Sequence, residues 1–137
     1  MNGFAPALVA ILLIASCGTS PSAPPPVNVA SPFTLAPGQT VLVEGTPLRV
    51  TFDRVGSDSR CPADVTCVWE GDAVVLVSVR TTDPAPASHE LHTAGRYPGE
   101  VEAGAYLLRL VGLAPVPRQD KPTGPADYRA TLVVNPK

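Results

Sequence analysis

From Pro32 onward the chain alternates apolar and polar residues with a period of two, interrupted by glycine- and proline-bearing turns. In the run from Pro47 to Val55, Leu48, Val50 and Phe52 fall on one side, and Arg49, Thr51 and Asp53 on the other. This is the signature of a half-buried strand, whose side chains point alternately to either face. Phe33 and Leu35 flank Thr34, a further run spans Gln39 to Glu44, and Glu44-Gly45-Thr46 separates it from the next. Two such runs around a short glycine turn predict a hairpin. The apolar run Ala73 to Val79 carries Ala73, Val75, Val77 and Val79 on one face and Val74 and Leu76 on the other, with Ser78 and Arg80 polar at its end. Apolar character on both faces predicts an interior strand of a packed sheet. Extending the odd positions backwards places Cys67 and Trp69 on the core face if no bulge intervenes at Gly71; a buried indole there would need an acceptor for its N–H.

Further along, Ser88 to Thr93 predicts a short edge strand and Ala94 to Gly99 a turn. Tyr106, Leu108 and Leu110 alternate with Leu107, Arg109 and Val111, and a proline-rich loop runs from Ala114 to Pro125. Tyr128, Ala130, Leu132 and Val134 then share a face. About seven short strands without helical periodicity predict an all-β fold, a single antiparallel β-sandwich of immunoglobulin-like architecture, with a small β-barrel as the alternative.

The N-terminus follows a different pattern. Residues 4–15 are almost wholly apolar, too short a run to span a bilayer and of the right length for a secretory segment, although no Lys or Arg precedes it. It ends in Ile14-Ala15-Ser16-Cys17, which resembles the lipobox of bacterial lipoproteins. The resemblance implies a signal peptide over residues 1–16, a lipidated Cys17 and a mature chain beginning there. It implies a location in the bacterial cell envelope, and Gly18 after the lipid cysteine favours the periplasmic face of the outer membrane if the cell is diderm. The triacylated end typical of that class anchors stably, whereas a single chain does not. Residues 17–31, rich in proline, serine and alanine, read as an extended tether, leaving 32–137 as the folded domain. With Cys17 assigned to lipid, Cys61 and Cys67 remain as a disulfide pair in an oxidising compartment.

Composition narrows the chemistry. A net charge of −2 with no basic stripe argues against nucleic acid as a partner. His89-Glu90-Leu91-His92 is not a His-Glu-x-x-His motif, and on a strand its histidines point to opposite faces, so it reads as a solvated edge with no metal. The spacing Cys-x5-Cys is not that of a redox dithiol. Asp53, Asp58, Asp64, Glu70 and Asp72 match no calcium loop and read as solubilising surface acids. Without a serine or threonine set beside a base and an orienting acid, neither an enzyme nor a cofactor is expected.

The stretch Asp58-Ser59-Arg60-Cys61-Pro62, continuing through Cys67-Val68-Trp69 to Gly71, is similar to a signature of small uncharacterised exported bacterial proteins, many of them lipoproteins. Leu113 to Pro117 is a weaker second element. This resemblance implies location and the disulfide, and no activity. The expected function is therefore a lipid-anchored, non-catalytic binding or structural module. Its partner would be an envelope protein or glycan, met by a surface formed by Arg60, Asp64, Trp69 and Glu70. The alternative is an inhibitor of an envelope or periplasmic hydrolase that presents the bridged loop 61–67, whose closure in advance lowers the ordering cost of binding. Burial of both Val65 and Trp69 would make the loop mainly a staple, while an exposed tip from Pro62 to Val65 would favour the inhibitor.

Overall fold

A computed structural model describes residues 22–83 and 85–137. The expected signal peptide, Cys17 and the first residues of the expected tether lie outside the described residues. The strands are β1 (Pro26–Val27), β2 (Phe33–Leu35), β3 (Thr40–Val43), β4 (Arg49–Asp58), β5 (Ala73–Arg80), β6 (Ala87–His92), β7 (Glu100–Ala103), β8 (Tyr106–Ala114) and β9 (Arg129–Pro136). The described residues contain one short 3-10 turn, at Pro125–Asp127, and no helix long and apolar enough to cross a membrane.

Two sheets form a sandwich, one of five strands in the order β1-β3-β4-β5-β6 and one of four in the order β2-β9-β8-β7. The chain meanders through β3 to β6, crosses to the second sheet, meanders through β7 to β9 and closes on β2. Each strand of the meander lies beside its sequence neighbour, so the likeness to immunoglobulin domains is one of layers and not of Greek-key connections.

The predicted hairpin is present. Val41 pairs with Val50 across β3 and β4, and the turn is held by Thr46, whose hydroxyl donates to Val43 O at 2.8 Å and accepts from Leu48 N–H at 3.0 Å. Gly45 takes the left-handed conformation that this turn requires, at φ 72°. Strand β5 behaves as its pattern implies: Ala73, Val75, Val77 and Val79 are buried while Val74, Leu76 and Ser78 are half-buried. The core between the sheets is wholly apolar, with Phe52, Leu48, Leu91, Leu108 and Leu132 its largest fully buried side chains.

Alternation alone does not carry through β4 and β8. Register shifts between Phe52 and Arg54 and again between Val55 and Ser57 reverse which parity faces inward, and a third between Leu110 and Gly112 does the same in β8. Leu108 is therefore buried on an even position and Leu113 on an odd one, with Val111 exposed between them.

The expected tether needs correcting at its C-terminal end. Pro25 O accepts from Leu42 N–H at 3.1 Å, Glu44 N–H donates to Val27 O at 2.8 Å, and Ala30 N–H donates to Val134 O at 2.8 Å. Val27 and Val29 pack on the core, so the domain begins near Pro25 rather than Pro32. Valines within a proline-rich stretch supply an edge strand because proline is tolerated where only one side of the strand is paired. Together with β7 this brings the described strands to nine.

Candidate functional site

The cystine stretch lies in the connection between β4 and β5. Cys61 and Cys67 are bridged, with 5.9 Å between their Cα atoms. Strand β5 begins only at Ala73, so the expected continuation of its core face back to Cys67 and Trp69 does not occur. The neck of the loop closes first: Ser59 N–H donates to Asp72 O at 2.7 Å, and Asp72 N–H donates to Ser59 Oγ at 3.1 Å. At this crossing Gly71 lies directly against Ser59, where a Cβ would overlap the Ser59 carbonyl and approach Arg60 Cα to 2.7 Å. The glycine permits the crossing, and the crossing turns the chain out of the sheet.

Trp69 is consequently 81% exposed and Val68 91% exposed, the reverse of the expected core position. The whole run from Thr66 to Glu70 is exposed, whereas Pro62 and Val65 are half-buried. Ala63 and Asp64 of the tip are exposed as well, so of the expected tip only Pro62 and Val65 are partly withdrawn, and the large apolar side chains presented are those after the bridge, Val68 and Trp69.

Arg60 does not contribute a free charge to this surface. Its Nε and Nη2 donate to the two carboxylate oxygens of Asp58 at 2.8 and 2.7 Å, Nη1 donates to Leu113 O at 2.6 Å, and Nη2 also donates to Pro115 O at 2.9 Å. Tyr128 OH completes the group by donating to Asp58 Oδ2 at 3.1 Å. Burial pushes the Asp58 carboxyl up, but the hydrogen bonds and charge of Arg60 and the Tyr128 hydroxyl outweigh it and hold the group below the usual carboxylate range. Burial, followed by the Asp58 charge, pushes the Tyr128 phenol up.

Asp64 serves the same end. Its carboxylate accepts from Gln119 N–H at 2.9 Å and Asp120 N–H at 3.3 Å, and next to it Ala63 N–H donates to Pro117 O at 2.9 Å. The Gln119 hydrogen bond is foremost in holding its carboxyl low. Arg60 and Asp64 therefore clamp the cystine loop to residues 113–120, which brings the Asp58–Gly71 stretch against Leu113–Pro117. A groove lined by Pro115, Val116, Arg118, Lys121, Pro122, Thr123 and Asp127 opens in this same segment.

Asp72 secures the other side. Its carboxylate accepts from Thr93 N–H at 3.0 Å, Ala94 N–H at 2.9 Å and His92 Nδ1 at 2.6 Å. A carboxylate can only accept, so the imidazole carries its proton on Nδ1. Burial pushes the Asp72 carboxyl up, and the bonds from His92, Ala94 and Thr93 together bring it below its usual range. Asp58, Asp64 and Asp72 are thus anchors of the loop rather than the solubilising acids expected from the sequence. Asp53, the fourth, accepts from Ser78 Oγ at 2.7 Å.

Of the expected surface residues, Trp69 and Glu70 point outward and Arg60 and Asp64 hold the loop that carries them. Asp58, Tyr128 and Val68 are not among the expected surface residues; Asp58 and Val68 lie within the motif, but Tyr128 is 70 residues from its partner. Among the described residues no group of three or more His, Cys, Asp or Glu side chains could hold a metal ion. Chemically, the arrangement offers an indole, a valine side chain and the exposed Glu70 carboxylate on a stapled loop whose Asp58, Arg60, Asp64 and Asp72 are already hydrogen-bonded. Comparison of the chain with protein-family models, with curated proteins and with solved structures finds no match.

Proposed function

We propose that this protein is a lipid-anchored binding module of the bacterial envelope, tethered through Cys17, that engages an envelope partner through the Val68–Trp69 tip of its cystine loop. The exposure of Trp69, at 81% on a loop clamped from three sides, carries this reading. Exposing two large apolar side chains in sequence on a rigid loop costs solubility and contributes nothing to the core. Tryptophan is also among the residues most enriched where proteins bind one another. A disulfide, three aspartates and Arg60 hold the tip in advance of binding, which lowers the entropy lost on association. The inhibitor alternative retains the preformed loop and its exposed Ala63 and Asp64, but the Ala63 N–H and the Asp64 carboxylate are already tied to residues 117–120, which leaves the Val68–Trp69 segment as the unengaged surface.

The test is cross-linking in intact envelopes of the full chain and of Val68→Ser and Trp69→Ala variants, together with a Cys17→Ser variant. The tip variants are expected to lose a specific cross-linked species while staying in the membrane fraction. The Cys17 variant is expected to leave that fraction. Cross-linked species identical across the parent and both tip variants would overturn the tip as the binding surface. Retention of Cys17→Ser in the membrane fraction would overturn the anchor.

A further inference from the structure

The outward face of the five-stranded sheet carries an unusual pairing at the end opposite the cystine loop. Arg49 and Arg80 stand directly across from one another on β4 and β5, both exposed. Like charges in register on neighbouring strands work against folding. Neither arginine lies within ion-pair distance of a carboxylate among the described residues. They border a groove of about 310 Å³ whose other walls are Thr40, Thr51, Ser78, Pro24 and Pro86. Thr40 and Thr51 share a hydrogen bond of 2.8 Å across the strands, so one of the two hydroxyls donates to the other and the accepting one keeps its proton for a ligand. Asp53 borders these rows with its carboxylate held on Ser78 Oγ at 2.7 Å, and Glu90, opposite Leu76, lies one row further along the same face. Two guanidinium forks beside a threonine hydroxyl whose proton is free suit an oxyanion with several oxygens, which Arg recognises by paired N–H bonds.

The groove's position selects the source of that oxyanion. Pro24, which borders it, follows Cys17 by seven residues (positions 17 to 24). Seven residues reach at most about 25 Å. A chain acylated at Cys17 therefore holds this groove within reach of the bilayer surface, where lipid phosphates are concentrated and where juxtamembrane basic residues are drawn to anionic leaflets.

We propose that Arg49 and Arg80 form a clamp for the phosphodiester of an anionic lipid headgroup, docking this end of the sandwich on the membrane to which the chain is anchored. The proposal rests on the reading of Cys17 as the lipid anchor, but the clamp is measurable without it. The full chain in neutral maltoside micelles is titrated with dihexanoyl-phosphatidylglycerol, with the matching phosphatidylcholine and with inorganic phosphate, following the Nε–H resonances of Arg49 and Arg80 by NMR. The phosphatidylglycerol is expected to move both resonances saturably and the phosphatidylcholine neither. Arg49→Gln and Arg80→Gln are each expected to weaken binding about tenfold, the loss of one charge-assisted contact. Arg49→Lys is expected to fall between parent and Arg49→Gln. Each glutamine variant relieves the like-charge pair, so an unfolded variant is not expected, and the dispersion of the backbone resonances checks it.

Resonances that stay in place with every ligand, or an affinity unchanged in the glutamine variants, would overturn the clamp. Binding of inorganic phosphate as tight as that of phosphatidylglycerol would assign the site to free anions and overturn the docking. The mass of the mature N-terminal peptide from membranes reports acylation of Cys17 separately. An unmodified Cys17 beside an intact titration would remove the anchor and leave the arginine pair as an anion site.

Discussion

Arg60 donates side-chain hydrogen bonds to Asp58 Oδ1, Asp58 Oδ2, Leu113 O and Pro115 O, and so ties the end of β4 to the end of β8. With side-chain exposures of 15% for Arg60 and 10% for Asp58, the pair is largely withdrawn from water, and removing one partner leaves the other without compensation. Arg60→Ala is expected to cost about 2–4 kcal/mol of stability, measured by urea unfolding. The pH dependence has a definite sign. Asp58 and Asp72 are both held below their unfolded values, so their contribution is present above about pH 5 and is lost as pH falls through about 4 and below. Arg60→Ala is expected to flatten the acid limb of the stability curve as well as lower it, because Asp58 loses its chief reason to stay ionised. An acid limb as steep as the parent's would show that Asp58 does not contribute to it. Little of this was legible in the sequence. Arg60 and Asp58 are close in the chain, but the carbonyls that accept from Arg60 lie 53 and 55 residues away, and only tertiary structure brings them together.

Strands were read more reliably than the segments joining them, for a physical reason. A period-two pattern records a face that must be buried, so β2, the β3–β4 hairpin, β5, the edge strand β6 and the inward face of β9 could all be placed from sequence. Where a bulge resets the pattern the same reasoning fails, as at the register shifts of β4 and β8. Trp69 shows the limit most clearly. Its parity matched the core face of β5, but the crossing of Gly71 against Ser59 leaves β5 to begin at Ala73, four residues after Trp69. The loop has two independent constraints, its disulfide and its clamp, which predicts how it fails. The Cys61→Ser/Cys67→Ser variant is expected to lose about 2 kcal/mol, the entropy of a short closed loop. The sheets are expected to remain, since no strand of the core depends on the bridge for its pairing. Amide exchange is expected to rise over residues 61–70 while β4 and β5 stay protected. Uniform loss of protection across both sheets would instead make the bridge part of the core's own stability.

The two ends of the sandwich differ in chemistry, and β5 measures the distance between them. It runs eight residues from Ala73, beside the cystine loop, to Arg80 in the arginine groove. At the rise of an extended strand that is about 25 Å. Docking of the arginine groove on lipid therefore carries the Val68–Trp69 tip away from the bilayer, to where a partner in the envelope space can reach it. An exposed tryptophan beside a valine has another use, since indoles favour the membrane–water interface, and a tip inserted there would reverse the orientation of the whole domain. Trp69 is the sole tryptophan of the chain, so its fluorescence reports on this one position. For the full chain bound to vesicles containing phosphatidylglycerol, emission from Trp69 is expected to stay at the wavelength of a water-exposed indole and to be quenched by iodide. Brominated acyl chains in the same vesicles are expected to leave it unquenched. Quenching by the brominated lipid would place the tip in the bilayer and make the cystine loop a membrane contact. Protection from iodide only after envelope extract is added would mark the arrival of a partner on the tip.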